Sequence, residues 1–383
     1  MSLNSDTRVA HFVRRFSPLS ETFIYHLVHG LSAKLPETRV CALVRENPES
    51  RPFDRADILR HGVLHRLARY SPMGRDRLQR WDFNRQFSAY LSSMRPAILH
   101  AHFAGNGLRV IDVCERFMIP VVVTLRGFDA SARLDDPLWR ERYRRAFARF
   151  SAIATVSEDM LARLEPYLPA DMYTAVIYSG KTSGDFPFAN PTGPVERLLS
   201  VGRLVQKKGH LDAVEALRIA RQQGFKGTLR IVGDGPLRDD LRAAIKTRGL
   251  ENAVTLVGPL GKADLLKEYS EADAFILACR TAENGDQEGI PNTLKEAMLC
   301  GLPVISTRHA GIPELVPPED HLWLAPEADP GSLASLMLRL AVAKDGEKVE
   351  RARRSRAYVE KYFSTDREVT QYLQLYEAVL SLN

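Results

Sequence analysis

The sequence predicts an α/β chain built of two doubly wound halves. Three observations predict it. Short apolar runs bounded by turn residues alternate with amphipathic helical stretches, which implies parallel sheets with right-handed crossovers. The alternation occurs twice, on either side of the proline-rich stretch Asp185–Pro194 (DFPFANPTGP), the best linker candidate. A length of 383 residues suits two domains better than one.

In the first half, Arg8–Val13 reads as a strand, residues 16–22 as a loop and Phe23–Leu31 as a helix. Ser20 is a plausible N-cap, although position 23, where a capping box needs Glu or Gln, holds Phe. Arg39–Val44 is a second strand. Residues 45–95 are polar and arginine-rich, with Trp81, Phe83, Phe87 and Tyr90 interleaved, and are expected to form helices. Ala97–His100, Pro120–Leu125, Ser151–Val156 and Tyr173–Tyr178 complete the strands, and Ser157 caps a helix after the third of these. Ligands in such sheets bind off the carboxyl ends of strands, where His102, Arg126, Asp129 and Ser157 fall. In the second half strands are expected at 198–201, 228–232, 254–257, 273–278, 303–306 and 321–325, with a helical terminus over about 351–380.

Composition sets bounds. Hydrophobic residues make up 45% and charged residues 26%, ordinary globular values. Cys41, Cys114, Cys279 and Cys300 are scattered, with neither metal spacing nor a disulfide framework, which fits a reducing cytosol. No apolar run reaches transmembrane length, and no signal peptide opens the chain. Charge is uneven: 27 basic against 20 acidic residues through Asn190, and 26 against 27 beyond it. The excess, mostly arginine, points to an anionic partner surface. Residues 60–95 hold eight arginines against Asp76 and Asp82. A solvated face is the plain alternative, and no nucleic-acid-binding motif is present.

The most informative stretch is residues 283–301, ENGDQEGIPNTLKEAMLCG. Glu288 and Glu296 stand eight positions apart. Pro291 suits the first turn of a helix. Leu294, Ala297 and Met298 then share a face, and Gly301 with Pro303 ends the helix. Glu288 thus precedes a helix N-terminus and Glu296 lies within the helix. Free backbone N–H groups and the helix dipole favour an anion such as a diphosphate there, and the carboxylates can accept hydrogen bonds from sugar or ribose hydroxyls. By itself the spacing also fits a surface loop and a capped helix.

The two glutamates around Gly289-Ile290-Pro291, the longer run GDQEGIPNTLKEAMLCGLPVIST and the following AGIPELV resemble the signature of retaining glycosyltransferase family four, in its bacterial polysaccharide-assembly branch. The likeness runs from about Arg8 to the end of the chain. It implies the GT-B fold, an α/β architecture of two Rossmann-like domains with parallel sheets facing across a cleft. Residues 1–188, completed by a helix at about 366–383, would bind the acceptor, and residues 189–365 the nucleotide-sugar. The resemblance places Glu288, Gly289, Ile290, Pro291, Asn292, Thr293 and Glu296 on the donor. It places Arg203 and Lys208, in VGRLVQKKG, on the donor diphosphate, with Gly202 beside them; Lys207 reads better as a solvated neighbour. Gly233 and Asp234, in GDGPLR, let backbone approach the donor, although a tight strand-to-helix turn explains Asp234 as well. Arg238 occupies the place of a third glycine, so a dinucleotide fingerprint is weak. Ser20, Glu21 and Thr22, in SETFI, would lie near the acceptor, with Ser20 equally a cap. His102 reads as a sugar or acceptor contact or as a hydrogen-bonded structural group. Arg126 departs from the family pattern, which has His before Gly-x-Asp129; arginine stays protonated, leaving an electrostatic or acceptor-binding role.

The sequence contains no Asp-x-Asp triplet, so a metal-bridged diphosphate is not expected and no cofactor is implied beyond a UDP- or GDP-linked donor. The expected activity is retaining, metal-independent transfer of a sugar to a glycan or lipid-linked acceptor. It would be cytoplasmic, peripheral on the inner membrane face where anionic lipid attracts the basic half. A different GT-B-like enzyme, such as an epimerase or phosphorylase, and a non-catalytic sugar-nucleotide binder are the alternatives.

Overall fold

A computed structural model describes residues 3–18, 21–59 and 75–382 of the chain. It divides into two compact units. The first comprises Met1–Val156, Leu161–Gly180 and Thr365–Asn383, and the second Ser157–Met160 and Lys181–Ser364.

The first unit is built on a seven-stranded parallel sheet. Its strands are β1 (Val9–Phe16), β2 (Arg39–Arg45), β3 (Ala56–Ile58), β4 (Ile98–His102), β5 (Val121–Leu125), β6 (Ala152–Thr155) and β7 (Thr174–Val176), in the order β3-β2-β1-β4-β5-β6-β7. The order reverses beside β1, the switch point at which such sheets open a crevice. Strands β4, β5 and β6 are buried along their whole length, as parallel strands covered on both faces must be. The helix Thr22–Lys34 packs Leu27 and Leu31 into a core that includes Val9, Ile98 and Val122. That core is completed by Val369, Tyr372, Leu375, Tyr376 and Val379 from the chain's last helix, Thr365–Leu382. The arginine-rich region yields a short strand, β3, and one long helix, Arg75–Met94. Phe87 of that helix is fully buried against Phe12 and Phe83.

The second unit has a six-stranded parallel sheet. Strands β8 (Arg197–Val201), β9 (Thr228–Val232), β10 (Val254–Gly258), β11 (Ala274–Leu277), β12 (Val304–Thr307) and β13 (Leu324–Ala325) run in the order β10-β9-β8-β11-β12-β13. The helices His210–Gln222 and Pro330–Ala341 cover it with Ala213, Val214, Leu217, Leu333, Ala334 and Met337. The last strand is shorter than the sequence led us to expect: Pro317 and Pro318 set a 3-10 turn over Pro318–Trp323, leaving two residues to pair with β12. The stretch Asp185–Pro194 does not bridge the units. It lies inside the second one, where the Ala189 N–H donates to Cys300 O at 3.0 Å and Lys262 pairs with Asp185 at 3.1 Å. Among the described residues, no helix is long and apolar enough to cross a membrane.

Candidate functional site

The second unit gathers its polar residues at the carboxyl ends of β8, β9, β11 and β12. After β8 the chain turns through Gly202 and Arg203 into a 3-10 turn, Gln206–Lys208, and leaves it at Gly209. Gly209 has φ +64°, and a Cβ there would lie 1.7 Å from Ala278 O, so no larger residue fits. Gly233 is held as closely, its Cβ position 1.9 Å from Gly202 O. These approaches press the β8 and β9 turns together and place Lys207 and Lys208 against the loop after β11.

Glu288 is at the centre of that loop. Lys208 Nζ is 3.2 Å from its Oε2 and Lys207 Nζ 3.4 Å from its Oε1. Lys207 is not the solvated neighbour the sequence indicated: it is buried, and it also donates to Asp286 Oδ1 at 3.0 Å and Gln287 O at 3.2 Å. The strand-end turn that carries Lys208 folds its neighbour against the loop, with only 9% of the Lys207 side chain exposed. Burial would push the Glu288 carboxyl upward, but Lys208 and Lys207 outweigh it and hold it at about 2. Glu288 is therefore an anion at neutral pH. Arg203 is exposed close by and makes no ion pair among the described residues.

A second set of contacts fixes the loop from behind. The Glu288 N–H donates to His309 Nε2 at 3.1 Å, and His309 Nδ1 lies 2.7 Å from Glu327 Oε1. Because the backbone can only donate, Nε2 is the accepting nitrogen and Nδ1 carries the proton toward Glu327. Glu327 Oε2 in turn accepts the Thr281 N–H at 2.7 Å. His309 is fully buried, so this chain ties the loop to the end of β12.

The helix after the loop runs Asn292–Leu299, with Pro291 at the capping position one residue before the first turn. Leu294, Ala297 and Met298 are buried as their spacing predicted, and Gly301 ends the segment with φ +88°. Near its start, Asn292 Oδ1 and Thr293 Oγ1 are buried without a partner among the described residues. Unpaired buried polar atoms are costly, and here they stand at a helix N-terminus, where anions and hydroxyls are welcome. One turn on, Glu296 accepts from Lys181 Nζ at 2.5 Å and from Tyr269 OH at 3.1 Å. Burial first, and Glu296 second, keep the Tyr269 phenol well above its ordinary range, so it donates. The Asp234 carboxylate is exposed, accepting from the Gly235 N–H and Arg238.

In the first unit, Ser20 lies outside the described residues, and Glu21 and Thr22 open the helix half-buried. For His102 the sequence left a ligand contact and a hydrogen-bonded structural group open, and its contact inside the sheet is of the second kind. His102 is the last residue of β4, fully buried, with Nε2 at 3.0 Å from His11 Nδ1. His100 lies beside it and engages Tyr376 OH and Thr124 Oγ1, both at 2.7 Å. Nitrogens of these three histidines lie within 4.8 Å of one another, and burial lowers all three below the ordinary imidazole range. His102 thus lies in the polar interior of the sheet, with Nε2 engaged by His11 and Nδ1 without a partner among the described residues. Asp129 is buried too: it accepts from the N–H groups of Ala104, Arg126 and Gly127, which spends its carboxylate on backbone. Arg126 donates to Ser179 Oγ at 2.8 Å, stacks over Phe23 at 4.7 Å and lies 3.9 Å from Glu368. Its side chain is 4% exposed.

The sequence named Glu288, Glu296 and Lys208, and the fold gives each a buried or half-buried polar partner. The sequence reading missed Lys181, Tyr269, His309 and Glu327, whose roles depend on which strand ends meet. His309 directly precedes AGIPELV, the one local signal available.

Residues 20–180 match the glycosyltransferase family 4 model, and residues 195–342 the model for glycosyl transferases group 1. The putative colanic acid biosynthesis glycosyltransferase WcaL of Escherichia coli is 33% identical over 288 residues, 73% of this chain and 71% of that one. The amylovoran biosynthesis glycosyltransferase AmsK of Erwinia amylovora is 48% identical over 145 residues, which span 38% of this chain but only 36% of AmsK. The fold is shared with Anabaena HepE, crystallised with UDP and glucose, at a TM-score of 0.76 and 16% identity over 97% of this chain and all of that one. Two parallel-sheet α/β units, matched family models and a relative aligned over most of both chains together place the protein: it belongs to glycosyltransferase family 4, on the exopolysaccharide branch of the GT-B enzymes.

Proposed function

We propose that the protein transfers a sugar, with retention of anomeric configuration and without a metal, from a UDP- or GDP-linked donor to a glycan or lipid-linked acceptor. One observation carries this reading: an ionised Glu288, held between two lysines whose side chains are 9 and 11% exposed, stands just before a helix whose first polar side chains include buried atoms without partners among the described residues. Lys208 and Arg203 supply the positive charge for a leaving diphosphate, where charge grows in the transition state. Gly202, Gly233 and Asp234 border that charge, and residues 289–293 supply N–H groups and short polar side chains. Glu296, with Tyr269 and Lys181 as its present partners, accepts from ribose hydroxyls. Glu288 acts on the transferred sugar. The departing phosphate takes the acceptor proton on the same face, since no enzyme nucleophile is evident beneath the anomeric carbon.

The acceptor side is the first unit, residues 1–188 with the terminal helix from about 366, and the donor side is 189–365. Glu21, Thr22 and Arg126 belong to the acceptor side. The work is cytoplasmic, with peripheral attachment to an anionic inner leaflet. Arg77, Arg80, Arg85 and Arg95 contribute to that attachment; Arg60, Arg66 and Arg69 lie outside the described residues.

The test is a thermal-shift panel of nucleotide-sugars followed by transfer assays with the stabilising donor. A ligand bound only by the folded state raises its apparent stability. Product with inverted configuration, or activity abolished by EDTA and restored by Mg²⁺, overturns the mechanism. Hydrolysis or epimerisation without transfer overturns the activity.

A further inference from the structure

The first unit contains a cavity of about 860 Å³ bordered by Arg14, Arg80, Arg109, Arg142, Phe83 and Trp139. It opens at the carboxyl edge of the sheet: Arg14 is near the end of β1, Val44 near the end of β2, and Gly105 in the first turn of the helix Ala104–Arg116 that follows β4. Open α/β sheets bind ligands at this edge.

The charges around it are unusual in having little to neutralise them. Arg80 pairs with Asp112 at 2.8 Å. Arg14, Arg109 and Arg142 make no ion pair among the described residues. Two acids also border the space. Asp82 is already engaged by Gln86 at 2.9 Å and Arg85 at 3.6 Å, leaving Asp76 as the single exposed counter-charge. Burial first, and then the neighbouring Arg14 and Arg80 charges, depress Arg109 below its ordinary range, so the charges of Arg14, Arg80 and Arg109 oppose one another.

Two of them are also held in place. The Arg109 guanidinium lies over the Phe83 ring at 5.1 Å, and Arg142 over Trp139 at 5.2 Å. Stacking fixes the plane of a guanidinium and leaves its N–H edge for a planar or tetrahedral anion.

We propose that this cavity binds an anionic group on the acceptor glycan, either the carboxylate of an acidic sugar or a phosphate joined to the glycan. The inference rests on the reading of the first unit as the acceptor side. Converging guanidinium groups match such anions with paired N–H···O bonds, and relief of their mutual repulsion adds to binding.

Calorimetric titration tests it. The probes are a short oligogalacturonate, its fully methyl-esterified form and pyrophosphate. The proteins are wild type, the double variant Arg109→Gln/Arg142→Gln, and Arg145→Gln as a control. Arg145 is exposed on the same helix as Arg142 and pairs with Glu141 away from the cavity. The acid should bind at least about tenfold more tightly than the ester, a difference set by charge-assisted hydrogen bonds. The double variant should lose that advantage and the control should keep it. Pyrophosphate is read through the part of its affinity that the double variant removes. A large part assigns the anion to phosphate, and a small part with strong oligogalacturonate binding assigns it to carboxylate. Equal binding of acid and ester together with unchanged pyrophosphate affinity in the double variant overturns the inference. So does an equal loss in Arg145→Gln. The UDP and GDP thermal shifts are recorded in parallel. If either nucleotide binds and neither anion does, only this inference fails; if neither nucleotide binds, the donor reading fails.

Discussion

Replacing Glu288 with Gln removes the carboxylate and leaves both lysines in place. In the folded protein this carboxyl titrates at about 2, against an ordinary 4.5. At about 1.4 kcal/mol per pH unit, the difference corresponds to roughly 3 kcal/mol of folding free energy. The sign follows from a depressed carboxyl: the stabilisation is complete above the unfolded value, near 4.5, and disappears as pH falls toward 2. The groups involved are 9 to 14% exposed, so solvent screens them little. Lys207 would retain Asp286, but Lys208 would keep no carboxylate among the described residues. We expect Glu288→Gln to cost about 3 kcal/mol near pH 7 and progressively less below pH 4.5. Urea denaturation reports it through Trp323, buried in the core of the second unit, with Trp81 and Trp139 changed to Phe in both proteins. A gap below about 1 kcal/mol near neutrality, or one that does not shrink with acid, refutes the account. UDP should bind the variant at least as well, because an anion can take the place the carboxylate left beside Lys208.

His309→Phe leaves the Glu288 N–H and Glu327 without their shared partner; we expect a loss of roughly 1–3 kcal/mol in unfolding experiments and a fall in kcat that exceeds any change in UDP affinity. Glu296→Ala should weaken UDP or GDP binding by roughly 1.5–3 kcal/mol, measured calorimetrically, and unchanged affinity would remove Glu296 from the ribose. Arg203→Ala and Lys208→Ala should lower turnover at saturating donor, since an interaction that strengthens in the transition state acts on kcat. Gly209→Ala should cost more than the roughly 1–3 kcal/mol of backbone strain alone, because its Cβ would sit 1.7 Å from Ala278 O; soluble expression at wild-type level would contradict this.

The two-sheet architecture was legible because parallel strands leave a double signature, an apolar run with turn residues at each end. The helix of the site was legible from Pro291, the apolar spacing and Gly301. What local pattern could not carry was pairing across distance. Lys207 and Lys208 look alike in sequence, and only the turn imposed by Gly209 determines that both reach Glu288. His102 could be read two ways because its strand was ended two residues early; in the sheet it meets His11 on β1, a partner 91 positions away that no local pattern could supply. Asp185–Pro194 carries every local mark of a linker, yet its backbone bonds to Cys300 and it packs within one unit. Proline content reports stiffness and missing donors, not which side of a boundary a segment joins.

The final helix has a consequence for how the protein is made. Tyr372 and Tyr376 close the core over Val9 and Leu27 and hydrogen-bond to Thr124 and His100. These partners leave the ribosome early, and the tyrosines that complete them leave late. The usual order, in which the leading domain folds first during synthesis, is therefore reversed. Residues up to Ser364 can settle the second unit while the first still shows its buried histidines and apolar strands to solvent or to a chaperone. Translation that stops shortly before Tyr372 would release a chain with one finished half and one half unable to finish.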